Sequence, residues 1–114
     1  MYRIIMVPTD GSGFDREAIR IALRVAEQSV AKIKLVRVLS TASFFSMAAT
    51  AEGTAIAAEV MHSERDNALS ELYALAAECR TASDAEITVD LYSGPVVDVL
   101  ADYATRHEVD LIVM

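Results

Sequence analysis

Residues 4–13 read IIMVPTDGSG. Four apolar residues run into Pro8, and a threonine, an aspartate and two glycines around a serine follow. Strand interiors disfavour Pro, Asp and Gly, so an apolar strand ends abruptly at this corner. From Ser12 onward the period changes. Ile19, Leu23, Ala26 and Val30 fall on one apolar stripe while Arg16, Arg20, Arg24 and Glu27 face water, the spacing of an amphipathic helix. Ser12 is expected to cap that helix, with Asp15 three positions on. A strand apolar on both faces that turns straight into a helix is the first half of a βαβ unit.

The same alternation continues along the chain. AKIKLVRVLS (31–40) places Ile33, Leu35 and Arg37 on one face and Lys34, Val36 and Val38 on the other, as in a second strand. A long helix is expected from about Ile56 to about Thr81, with Met61, Ala68, Leu72, Leu75 and Cys79 on its apolar stripe, widened by Leu69. Between these elements, Phe44 and Phe45 sit among small residues without a period, which suggests a loose connection over residues 40–58. AEITVDLYS (85–93) alternates Ile87, Val89 and Leu91 as a third strand, stopped by Ser93-Gly94-Pro95. Pro95 suits the first turn of a third helix, whose buried side is expected to carry Val96, Val97, Leu100, Ala101 and Ala104. VDLIVM (109–114) is a fourth, continuously apolar strand. The order β-α-β-α-β-α-β implies right-handed crossovers and a parallel sheet layered by helices on both faces.

Composition narrows the function classes. The 114 residues read as one domain, 54% apolar, with a net charge of −7 and no tryptophan. A basic face for phosphate neutralisation is missing, so nucleic acid is not an expected partner. The single cysteine, Cys79, excludes an intramolecular disulfide and reads as a buried thiol in a reducing compartment. The apolar stretch at 42–60 is interrupted by Glu52, Gly53 and several hydroxyl residues, which makes it a poor membrane span. No signal peptide is legible, and the expected location is the cytoplasm.

In open parallel sheets ligands bind beyond the carboxyl ends of the strands, where successive connections diverge. Thr9 and Asp10 follow strand one, Val38 closes strand two and Met114 closes strand four. Asp10 has two readings: it accepts hydrogen bonds from the amides of its own turn, or it meets the hydroxyls of a ligand. Several familiar sites fail on spacing. The third glycine of G-x-G-x-x-G would fall at Arg16, and an EF-hand loop from Asp10 would need an oxygen ligand at Phe14 and glycine at Asp15. A Walker loop is absent from the sequence, and the places of a receiver domain's acids hold Thr9-Asp10 and Tyr92-Ser93. His62, Glu64 and Asp66 read as the solvated face of a helix, and His107 as a residue meeting the carbonyls at a helix end. Neither a metal site nor a catalytic set is expected.

The segments IIMVPTDGSGFDREAIRIALRVA (4–26), KLVRVLS (34–40) and SGPVVDVLADYATRHEVDLIVM (93–114) together resemble the universal stress protein family. That resemblance implies a three-layer, doubly wound α/β fold of the adenine-nucleotide α-hydrolase-like kind, with strand order 3-2-1-4-5. It implies an adenosine pocket lined by Pro8, Thr9 and Asp10, with Asp10 on the ribose and Val38 and Met114 against the adenine. The ligand would be ATP, AMP or another adenine nucleotide. The protein would be a homodimeric, cytoplasmic, nucleotide-responsive regulator in the stress response rather than an enzyme, with room for weak ATP hydrolysis. ATP-binding members carry Gly-x-x-Gly and then Gly-Ser/Thr after strand four, followed by a fifth strand. Because the sequence stops at Met114, the natural chain is expected to continue or another chain to cover the edge of strand four. Without the glycine loop, only weak nucleotide binding is expected. The alternative is a family member that binds no ATP and works as a dimerisation or protein-interaction module.

Overall fold

The computed structural model describes residues 1–41 and 48–114. They form β1 (Ile4–Thr9), α1 (Phe14–Ser29), β2 (Lys32–Leu39), α2 (Ala51–Ala82), β3 (Ile87–Ser93), α3 (Val96–Arg106) and β4 (Leu111–Ile112). The strands build one parallel sheet in the order β3-β2-β1-β4. The chain moves outward from β1 to β2 to β3, then returns through α3 to the other side of β1. The winding direction therefore reverses between β1 and β4.

Alternation along the strands divides the core into two layers. Ile5 and Val7 of β1 join Ile33, Leu35 and Ile87 against α1 and α2. Met6 and Val36 face the opposite way, against Tyr103 of α3. Alanines 18, 22 and 26 are buried along α1, and their small side chains let the helix lie close to the sheet. The expected stripe breaks at Val30, which is 93% exposed. It takes a left-handed conformation (φ 53°) that closes the helix through its N–H to Ala26 O. A β-branched residue there costs about 1–2 kcal/mol.

α2 starts at Ala51, more than a turn before the expected Ile56. Thr50 is extended and its hydroxyl accepts the Gly53 N–H at 2.9 Å, a cap hidden among small residues. Residues 51–58 are thus helical or at the helix start, while the expected loose connection at Phe44 and Phe45 falls on 42–47, outside the described residues. The buried line of α2 is Ala57, Ala68, Leu72, Ala76 and Cys79. Ala76 lies deeper than the expected Leu75, which is half-buried. Burial pushes the Cys79 thiol up from its ordinary pKa, as expected of an inert thiol.

α3 departs most from its expected face. Val97 is 78% exposed, Val96 39% exposed and Ala101 exposed, whereas Tyr103 is fully buried. A three- and four-residue step from Leu100 through Tyr103 and Ala104 to His107 defines the covered side. The Tyr103 hydroxyl donates to Asp90 Oδ2 at 2.6 Å, so a phenol is buried there without an orphaned polar atom. Its ring meets Tyr92 edge-on at 5.7 Å and stacks on His107 at 4.0 Å. The His107 side chain therefore packs on Tyr103, and it is the backbone N–H of His107 that reaches a carbonyl, Tyr103 O at 3.0 Å.

β4 pairs with β1 through Ile5–Leu111 and Met6–Ile112. The Asp110 carboxylate anchors the start of β1, accepting the Arg3 and Ile4 amides at 2.8 and 2.9 Å. Although the run 109–114 is continuously apolar, Ile112 is 41% exposed while Leu111 and Val113 pack on the core. β4 is the outer strand of the described sheet.

Burial, followed by the bond to Asp90, raises the Tyr103 pKa above its ordinary 10.0. A folded-state pKa above the unfolded one contributes stability that is whole below pH 10 and shrinks as the pH rises past it. Tyr103→Phe should lose about 1.5–3 kcal/mol at neutral pH and show a flatter decline in urea midpoint above pH 10. An equally steep alkaline decline in the variant would contradict this assignment.

Candidate functional site

The reversal of winding opens a cleft of about 290 Å³ beyond the carboxyl ends of β1 and β2. Pro8, Thr9, Asp10, Val38 and Met114 all line it, so the five residues singled out in the sequence surround one space. Parallel register explains the first part of this convergence, because Pro8 stands beside Val36 and Thr9 beside Arg37. The bond from Val113 N–H to Met6 O then carries the chain end to the same rim.

Backbone geometry and two carboxylates shape the β1–α1 corner. Gly11 adopts φ +83°, which a side chain rarely takes. Asp10 Oδ1 accepts the Ser12 N–H at 2.8 Å, so the local-turn reading of Asp10 is realised. The Ser12 hydroxyl and amide hold the Asp10 carboxyl below its ordinary pKa. Beneath the corner, Asp15 accepts the Gly11 N–H at 2.9 Å and the Asp10 N–H at 3.2 Å. Asp15 is 6% exposed, and burial raises its pKa while those two amides pull it down in part.

Ser12 is not the residue that caps α1. The cap position is Gly13, without a side-chain bond, and the Ser12 hydroxyl accepts only the Phe14 N–H at 3.3 Å. The role of Asp15 was legible in principle: it begins the buried series Asp15, Ala18, Ile19, Ala22, Ala26 on α1. An acid at the head of an apolar stripe requires local donors, and the preceding corner supplies them.

Thr9 is 7% exposed and its Oγ1 has no hydrogen-bond partner among the described residues. A buried, unpaired hydroxyl costs about 1–3 kcal/mol, and this one belongs to a residue lining the cleft. Arg37 braces the corner from behind. Its guanidinium approaches Gly11 and is bonded to Glu71 of α2.

A larger depression, about 750 Å³, lies at the opposite rim, among the ends of α1 and α2 and the starts of β2 and β3. Its cations are engaged: Lys32 pairs with Glu86 at 3.3 Å and Arg80 donates to Ile87 O at 2.8 Å. Strand direction favours the smaller cleft as the candidate site. Among the described residues, no group of three or more His, Cys, Asp or Glu is placed to hold a metal. His62 pairs with Asp66 at 3.3 Å on an exposed helix face. No helix of the described residues is long and apolar enough to cross a membrane.

Three comparisons bear on this architecture. The family profile described as "Universal stress protein family" matches residues 1–114. A curated relative, universal stress protein MJ0531 of Methanocaldococcus jannaschii, is 27% identical over 115 residues. That match takes in 100% of this chain but 64% of the relative's length. Among solved structures, universal stress protein UspA from Lactobacillus plantarum superposes with a TM-score of 0.85 at 24% identity, covering 98% of this chain and 75% of that one. A universal stress protein solved in complex with cAMP gives 0.70 at 20% identity, covering 97% and 70%.

An alanine Cβ at Gly11 would stand 3.1 Å from the Arg37 guanidinium in a strained backbone conformation. Gly11→Ala should therefore cost about 1–2 kcal/mol in urea unfolding. An unchanged midpoint would show that the corner tolerates a side chain and is not held as described.

Proposed function

Because the chain belongs to the universal stress protein family, we propose that it is a nucleotide-responsive regulatory domain. Its rim cleft takes an adenine nucleotide such as ATP or AMP, and it acts by binding rather than by catalysis. The observation that carries this reading is the convergence of Thr9, Asp10, Val38 and Met114 on one cleft at the switch point of the sheet. In the proposed pose the base lies between Val38 and Met114, with Pro8 on the same wall. Asp10, exposed and held ionised by Ser12, accepts the ribose hydroxyls. The Thr9 hydroxyl, without a partner among the described residues, is left as a further group for a ligand or an ordered water. The complex of a structural neighbour with cAMP supports the choice of an adenine ligand.

Titration of ATP and AMP into the protein and into Asp10→Ala tests this. Loss of charge-assisted bonds to two hydroxyls, each about 1.5–3 kcal/mol, should weaken binding at least about tenfold. Equal affinities would remove Asp10 from the site. Absence of binding in both would favour the alternative, a module that works through protein contacts, including pairing with a second copy.

A further inference from the structure

The amides of Asp10 and Gly11 point at one spot, and that spot is already filled. Both oxygens of Asp15 are used there, Oδ1 on the Asp10 N–H and Oδ2 on the Gly11 N–H. Consecutive amides converging on one anion, next to the amino end of a helix, form the kind of concavity that elsewhere cradles phosphate. In this chain the anion is internal: Asp15 lies in the first turn of α1, is almost wholly buried, and lines the same cleft as Asp10. Thr9, whose buried Oγ1 has no hydrogen-bond partner among the described residues, lines that cleft too, an independent sign that the space beside the filled concavity receives a polar group.

The geometry points to Asp15 as a specificity-determining residue that plugs the anion-binding concavity of the rim and so biases the cleft toward the uncharged end of a nucleotide, its nucleoside, over its phosphates. This rests on the adenine-nucleotide reading of the cleft and names which part of the ligand the site prefers. Two further features agree with it. The cleft, at about 290 Å³, lies at the low end of ligand-site volumes. Its walls combine two carboxylates, Asp10 and Asp15, with apolar side chains such as Val36, Val38 and Leu100. A phosphate chain entering there would meet Asp15 at short range in a partly desolvated setting, where like charges repel far more than in water. The neutral base and ribose meet no such penalty.

The test compares adenosine with ATP on the unaltered protein, on Asp15→Asn, which removes the charge and keeps the shape, and on Asp15→Ala, which vacates the concavity. The reading is the ratio of ATP affinity to adenosine affinity, with thermal melts confirming that each variant is folded. The ratio should rise at least about tenfold in Asp15→Asn and no less in Asp15→Ala. A second arm adds inorganic phosphate and follows amide resonances. Those of Asp10 and Gly11 should shift in Asp15→Ala and stay still in the unaltered protein. If adenosine binds but the ratio does not move, the role given to Asp15 is wrong while the adenine reading stands. Should neither ligand bind any of the three proteins, the adenine reading fails, and the phosphate arm alone decides whether Asp15 plugs an anion site. Should Asp15→Ala not fold, the ratio in Asp15→Asn decides the matter by itself.

Discussion

β1 is hydrogen-bonded on both edges, to β2 and β4, and covered on both faces, by α1 on one side and α3 on the other. Such a strand has a single direction in which to present chemistry, along its own axis. Everything at the rim follows from that confinement. The last residue, Thr9, is drawn into the protein with its hydroxyl, and the chain must turn at Asp10 and Gly11 with little room to spare. Reversal of the winding then holds α1 and α3 apart at that point, so the space beyond the strand stays open.

Holding the corner is a polar task in an apolar setting. Asp15 supplies acceptors to the Asp10 and Gly11 amides, and its own burial is tolerated because of them. Arg37 closes the rear through Glu71, its guanidinium near Gly11, whose positive φ is what calls for a glycine there. The surface pairs Arg16–Glu78 and Lys32–Glu86 are well exposed and contribute little by comparison. The corner is therefore a preorganised element whose stability depends on a few groups.

Most of the fold was legible because it rests on hydrophobic period. The runs at Ile4–Val7 and Ile33–Val38 and the stripe of α1 each announce their element, and the convergence of Thr9, Asp10, Val38 and Met114 follows from topology alone. What was not legible depends on partners distant in sequence. Tyr103 is absent from the expected buried side of α3, and its burial depends on Asp90, on another element, accepting its hydroxyl. Val97 and Ala101 look like core in a helical projection, and only the placement of Tyr103 turns them outward. Val30 continues a pattern but stands where the helix has already closed. The start of α2 was obscured because Thr50 caps a run of alanine, glycine and threonine with weak periodicity. Spacing pairs Asp15 with Ser12, whereas its burial directs it to the Asp10 and Gly11 amides.

The central claim is that the rim beyond β1, rather than the larger depression at the other end of the sheet, receives an adenine ligand. Amide chemical-shift mapping of the isotope-labelled chain during an adenosine titration tests it most directly. Saturable shifts should group at Thr9, Asp10, Val38 and Met114, with Val30, Ser83 and Glu86 unmoved. Shifts confined to that second group, or none at saturating adenosine, would contradict it.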